Sequence, residues 1–159
     1  GDTISVEPWF GKARSVRLLG LNTPEVSRSG LRIKEQCYGK EASEYVKKIT
    51  ENRYAVLTFD PAKGVFDDRN RLLAYVHVYD SYVSALFGIG GVDLNLHLIE
   101  NGYAEEWLYR GRYERADEFL AAETKAREAN IGGWAVCSDF KRHPRRSRAS
   151  DAKLKPSFG

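Results

Sequence analysis

Methionine is absent from all 159 residues, the first position included. The expectation is a chain whose start was processed or trimmed. Cysteine occurs only twice, at Cys37 and Cys137, a spacing that excludes a zinc or iron–sulfur motif. Two readings fit: a pair of free buried thiols, or a bridge closing a very long loop. A bridge of that kind stabilises by roughly 4–5 kcal/mol in a chain-entropy picture and needs an oxidising compartment. The three histidines, His77, His97 and His143, are scattered; the first two read as structural. No apolar run approaches the roughly 20 residues that span a bilayer, so no membrane-spanning helix is expected. A phosphate loop is missing too, since "FGIGGVD" lacks the Lys-Ser/Thr that would follow. There is no internal repeat.

What is present suits one ordinary domain with a real core: 42% of residues are hydrophobic. The net charge of +3 is unevenly spread. From Ser138 onward Lys141, Arg142, Arg145, Arg146, Arg148, Lys153 and Lys155 face only Asp139 and Asp151, and the rest of the chain is slightly acidic. Residues 1–137 are therefore expected to fold, and 138–159 to form a basic, disordered tail. Such a tail either adds salt-sensitive affinity for an anionic polymer or is merely solvated.

Strand-like segments run over 3–6, 13–21, 54–59, 72–79 and 103–108. Residues 38–52 predict a helix, with Ala42, Tyr45, Val46 and Ile49 on one face and Lys47 and Lys48 at its negative end. Asp93 caps a shorter helix over 94–101, with Gly102 as its stop. A third helix is predicted over 113–130, before Gly132-Gly133 and Trp134. The mixture of segregated strands and helices reads as α+β.

Arg17 lies inside a strand, between residues that look buried, and a half-buried guanidinium needs an anion. Arg71 opens another strand after the polar "FDDRN". Two converging arginines can grip one phosphate; separately they make ordinary salt bridges. Glu25 follows Pro24 on a stiffened turn, where it can be aimed as a general base or serve as a surface acid. Asp2 and Asn22 bring oxygen ligands to two further strand ends. With a backbone carbonyl they can hold a hard cation such as calcium.

In order along the chain, "GDT", "RLLGLNTPE", "CYGKEAS", "DDRNRLLAYV", "LNLHLIENGYA" and a long helix before "GGW" resemble the staphylococcal-nuclease-like, or thermonuclease, family, over nearly all of 1–134. The resemblance implies a five-stranded OB-fold barrel with three helices, here with its first strand truncated. It implies calcium-dependent hydrolysis of phosphodiester bonds in DNA and RNA, preferably single-stranded, by a monomer. Arg17 and Arg71 match the phosphate-binding arginines, and Glu25 the water-activating glutamate. Asp2 and Thr23, the latter through its carbonyl, match calcium ligands. Tyr109 and Tyr113 fall where the family places aromatics beside the nucleotide; they stack on a base, or one of them packs on the third helix. Cysteines near the positions of Cys37 and Cys137 in secreted relatives imply a disulfide and an extracellular or cell-envelope setting.

Three departures qualify this. Asn22 stands where the family has a ligating aspartate, which removes a negative charge and weakens the expected calcium site. The family strand before "GDT" is missing, leaving a sheet edge open or covered by something else. Arg69 replaces a phosphate-contacting tyrosine and can bind phosphate by charge. The alternative function is a catalytically weakened nucleic-acid-binding module.

Overall fold

The computed structural model describes residues 1–27, 34–138 and 140. In chain order it contains β1 (Thr3–Val6), β2 (Arg14–Leu18), β3 (Leu21–Asn22), α1 (Gly39–Thr50), β4 (Tyr54–Thr58) and β5 (Leu72–Tyr79). α2 (Tyr82–Phe87), β6 (Val92–Asp93), α3 (Leu94–Glu100), β7 (Glu105–Glu106), α4 (Ala116–Glu128) and α5 (Gly133–Val136) follow. The architecture is mixed α+β. The main sheet has the order β1-β2-β5-β4, with β6 also on β5, and β3 pairs with β7 as a separate ribbon. β2 and β5 run parallel, Arg17 opposite Leu73, and the other pairings are antiparallel. None of the described helices is long and apolar enough to cross a membrane.

Two expectations are corrected. The described strands trace an open path rather than a closed barrel: β1 and β4 end it. Both border a cleft of about 1060 Å³ whose walls include Ile4, Val6, Trp9, Tyr54, Val56 and Tyr82. The described residues also form five helices, not three. α2 was not anticipated because none of its residues is buried, so it has no inward apolar face. Ser81 caps it and Gly88, at φ 66°, ends it. α5 is a single turn after the Gly132-Gly133 pair.

Elsewhere the chain's own signals decide. In β2, alternation sends Val16 and Leu18 inward and turns Arg17 to the other face. The strand expected over 13–21 breaks at Gly20, where φ is 82° and a Cβ would lie 2.7–2.8 Å from Tyr113 and Phe119. The strand expected over 103–108 shrinks to β7, because Tyr103 and Ala104 both donate their N–H groups to the Leu98 carbonyl at the end of α3. Asp93 does cap α3, accepting from the Leu96 N–H at 3.2 Å. Fully buried Asn95 then bolts α3 to the sheet. It accepts from Val76 N at 2.9 Å and donates to the carbonyls of Leu19 at 2.8 Å and Ala74 at 3.2 Å.

The main core gathers Val16, Leu18, Leu21, Val76, Leu98 and Phe119 between sheet and helices. Trp134 is buried in a second cluster with Ala126, Cys137 and Phe140. The basic tail lies outside the described residues, apart from Ser138 and Phe140.

Candidate active site

The start of the chain, β2, the turn after β3 and the start of β5 meet at one end of the sheet. Arg17 is held there by backbone carbonyls: its Nη1 donates to those of Leu21 at 3.0 Å, Leu18 at 3.1 Å and Asp2 at 3.5 Å. Its Nη2 pairs with the Asp2 carboxylate at 3.2 Å, both side chains being largely buried. Arg71 is oriented from the other side. Its Nε and Nη2 both reach Asp67 Oδ2 at 2.6 Å, and its Nη1 donates to Thr3 Oγ1 at 2.8 Å. Thr3 in turn donates to Asp2 Oδ1 at 3.0 Å. One chain of contacts thus runs from Asp67 through Arg71, Thr3 and Asp2 to Arg17.

The electrostatics record the same proximity. Burial draws the Arg17 ionisation down; Asp2 opposes that, Arg71 adds to it, and Asp67 and Glu25 oppose it. Burial alone would raise the Asp67 carboxyl, but hydrogen bonds from Arg71 and the Arg69 N–H hold it below the usual carboxylate range. Asp67 also builds its own loop. Its Oδ1 accepts from the N–H groups of Arg69 and Arg71, and Asn70, at φ 57°, makes the turn between them.

Glu25 is exposed on its turn after buried Pro24, and Thr23 is 2% exposed. Asp2 and Thr23 belong to adjacent elements: a Cβ on Gly1 would run into the Thr23 side chain. Asn22 is half-buried in β3, opposite Glu105. A hard cation at this corner would find one carboxylate, from Asp2, with neutral oxygens from Asn22 and the Thr23 carbonyl. That donor set fits calcium chemically but is poor in charge. Among the described residues no three of His, Cys, Asp and Glu gather as a metal cluster.

The expected substrate residues separate. Arg69 is exposed on the loop beside Arg71. Tyr109 is half-buried, and its hydroxyl donates to Asp68 at 2.9 Å, joining its loop to that of Arg69. Lys63 pins the Tyr109 loop by donating to the carbonyls of Tyr109, Arg110 and Gly111 at 3.0, 3.0 and 2.7 Å. Tyr113 lies elsewhere. It is 2% exposed, its ring meets Phe119 edge-on, and its hydroxyl donates to the Gly20 carbonyl at 3.1 Å. It has no open face for a base, because the missing Gly20 side chain leaves room that the phenol fills.

Sequence reasoning missed Thr3, Asp67 and the Leu21 carbonyl. Asp67 had a signal, an aspartate four residues before an arginine across an Asn turn; Thr3 had none, since its partner is 68 positions away. Cys37 and Cys137 are bonded in the structure, with an S–S distance of 2.07 Å and Cα atoms 5.8 Å apart. The bond joins the approach to α1 to the end of α5.

Two guanidinium groups linked through Thr3 and Asp2 suit a doubly contacted anion, and the exposed Glu25 on the turn after β3 is a candidate proton acceptor. Comparison with known proteins narrows this. Residues 15–136 match the family described as staphylococcal nuclease homologue. An uncharacterized protein of Bacillus anthracis is 34% identical over 139 residues, 86% of this chain and 57% of its own. The thermonuclease of Staphylococcus hyicus is 30% identical over 135 residues, 85% of this chain and 70% of its own. An uncharacterized protein of Methanocaldococcus jannaschii is 30% identical over 148 residues, 84% of this chain and 67% of its own. The chain spans between 57% and 70% of the length of these relatives. It belongs to the staphylococcal nuclease family.

Proposed function

We propose that the protein is a calcium-dependent nuclease that hydrolyses phosphodiester bonds of DNA and RNA, single strands preferred, with little sequence preference. The single observation that supports this best is the chain of contacts from Asp67 through Arg71, Thr3 and Asp2 to Arg17, which holds both guanidinium groups at one end of the sheet. A phosphodiester is a monoanion that repels hydroxide, and more charge gathers on its equatorial oxygens in the transition state. Guanidinium groups that meet those oxygens better in the transition state than in the ground state lower the barrier. Arg17 and Arg71 take that part, Arg17 oriented by Asp2 and three backbone carbonyls and Arg71 by Asp67 and the Thr3 hydroxyl. Glu25 positions the attacking water and accepts its proton. Asp2, Asn22 and the Thr23 carbonyl would hold calcium, which supplies positive charge beside the phosphate. Arg69 and Tyr109, on loops joined through Asp68, would contact the flanking nucleotide; a Tyr109 face can stack on a base.

The sheet is read as OB-like, residues 1–137 as the nuclease domain, and 138–159 as a basic tail adding non-specific affinity for nucleic acid. A Cys37–Cys137 bond suits an extracellular or cell-envelope setting, and the working form is a monomer. The second reading, a weakened nucleic-acid-binding module, is favoured by one observation: Asn22 takes a charge out of the metal site.

Incubation with a single-stranded oligonucleotide, in calcium or in EDTA, tests the proposal. Cleavage that requires calcium supports it. Binding without cleavage in both would leave the binding module.

A further inference from the structure

Glu25 and Gln36 are eleven residues apart and joined twice. The Glu25 N–H donates to Gln36 Oε1 at 2.7 Å, and the Gln36 N–H donates to the Glu25 carbonyl at 2.9 Å. One residue thus takes up both backbone polar groups of Glu25. Gln36 is itself fixed from two directions. Its carbonyl accepts from the N–H of Gly39, the first residue of α1, at 3.0 Å. Its neighbour Cys37 is bonded to Cys137 beyond α5. The packing is close enough to restrict side chains: a Cβ on Gly39 would lie 2.6 Å from the Glu25 carbonyl oxygen. α1 therefore begins against the turn that carries the acid.

The Glu25 carboxylate, in contrast, makes no hydrogen bond or ion pair among the described residues and is exposed. Among the described residues its aim is set by where the backbone puts its Cα. Pro24 stiffens the chain on one side only. On the other side the restraint comes from Gln36.

We infer that Gln36 is a positioning residue for Glu25, fixing the direction of the carboxylate through the Glu25 peptide groups without touching the substrate. The inference rests on the reading of Glu25 as the water-activating base. Misplacing a reacting group by about 1 Å costs on the order of 100-fold in rate, so a slackened turn is expected to cost about 10- to 100-fold. The loss falls on kcat, because substrate binding to Arg17 and Arg71 does not pass through Gln36.

The test compares the wild type with Gln36→Met, Gln36→Glu, Glu25→Gln and the double variant Glu25→Gln/Gln36→Met. Steady-state cleavage of a single-stranded oligonucleotide is measured in saturating calcium, with the thermal midpoint and the calcium Kd as readings independent of turnover. Methionine keeps the length of glutamine but offers the Glu25 N–H only a weak thioether acceptor; glutamate accepts fully. The expected result is a kcat loss of about 10- to 100-fold in Gln36→Met, with KM within about twofold and calcium Kd and thermal midpoint unchanged. Gln36→Glu recovers most of the rate, and Gln36→Met adds nothing in the Glu25→Gln background. A wild-type kcat in Gln36→Met overturns the inference, as does an equal loss in Gln36→Glu or a full further loss on top of Glu25→Gln. If Glu25→Gln itself keeps the wild-type rate, the base reading fails and the inference with it. If Glu25→Gln is inactive while Gln36→Met is normal, only the inference fails.

Discussion

Glu105→Gln is expected to stabilise the protein at pH 8 and leave it unchanged near pH 4.5. Glu105 lies in β7, half-buried against α4. Burial pushes its carboxyl up from the usual 4.5 to about 7; the neighbouring Glu123 pushes the same way, and Arg127 partly opposes them. A carboxyl raised in the folded state binds its proton more tightly there than in the unfolded chain. Its contribution to stability is complete below about pH 4.5, falls as pH rises from there, and is lost above about 7. At about 1.36 kcal/mol per pH unit the ceiling is about 3.4 kcal/mol. Water still reaches part of the side chain and screens it, which brings the expectation to about 1.5–2 kcal/mol. Glutamine keeps the shape and cannot ionise. At pH 8 the variant should melt about 3–8 °C higher, given about 2–4 °C per kcal/mol for a chain of this size. Melting curves of both proteins from pH 4 to 8 supply the comparison, since titrating groups not coupled to Glu105 cancel in the difference. Two parallel curves, or a wild type that gains on the variant as pH rises, would refute the reasoning.

Asn22→Asp restores a negative charge to the metal corner and should tighten calcium binding by about tenfold, about 1.4 kcal/mol, read by isothermal titration; an unchanged Kd would show that Asn22 is not a ligand. Replacing both cysteines by serine opens a loop spanning 100 positions and should lower the urea-unfolding free energy by about 4–5 kcal/mol, with intact mass before and after reductant confirming the bond in the wild type. Asn95→Ala leaves the Val76 N–H and the Leu19 and Ala74 carbonyls without their buried partner and should cost about 2–4 kcal/mol in the same assay; a loss below about 1 kcal/mol would mean that these groups find water.

Local signals carried most of what could be read in advance. α1, α3 and α4 each have an apolar face or a cap written within a few residues, and Asp93 caps α3 as its sequence suggests. Arg17 drew notice because Val16 and Leu18 flank it, and Glu25 because Pro24 precedes it, but the roles expected of them came from the family resemblance. What stayed hidden depends on partners far along the chain. Whether Tyr113 stacks on a base or packs on the third helix is decided only by Gly20, 93 positions earlier, which provides the space for its ring. Thr3 becomes a link only when Arg71 comes to it. α2 failed the periodicity reading for another reason: Tyr82, Val83, Leu86 and Phe87 are apolar yet exposed, so its composition and its environment disagree.

The measurement that bears most directly on the central claim is the single-turnover rate of phosphodiester cleavage by Glu25→Gln in saturating calcium, alongside the wild type. The proposal requires cleavage by the wild type and a fall of at least about 100-fold in the variant, the usual scale for removing a general base, with oligonucleotide binding intact. An equal rate in the two proteins, or no cleavage by the wild type despite tight binding, would contradict it.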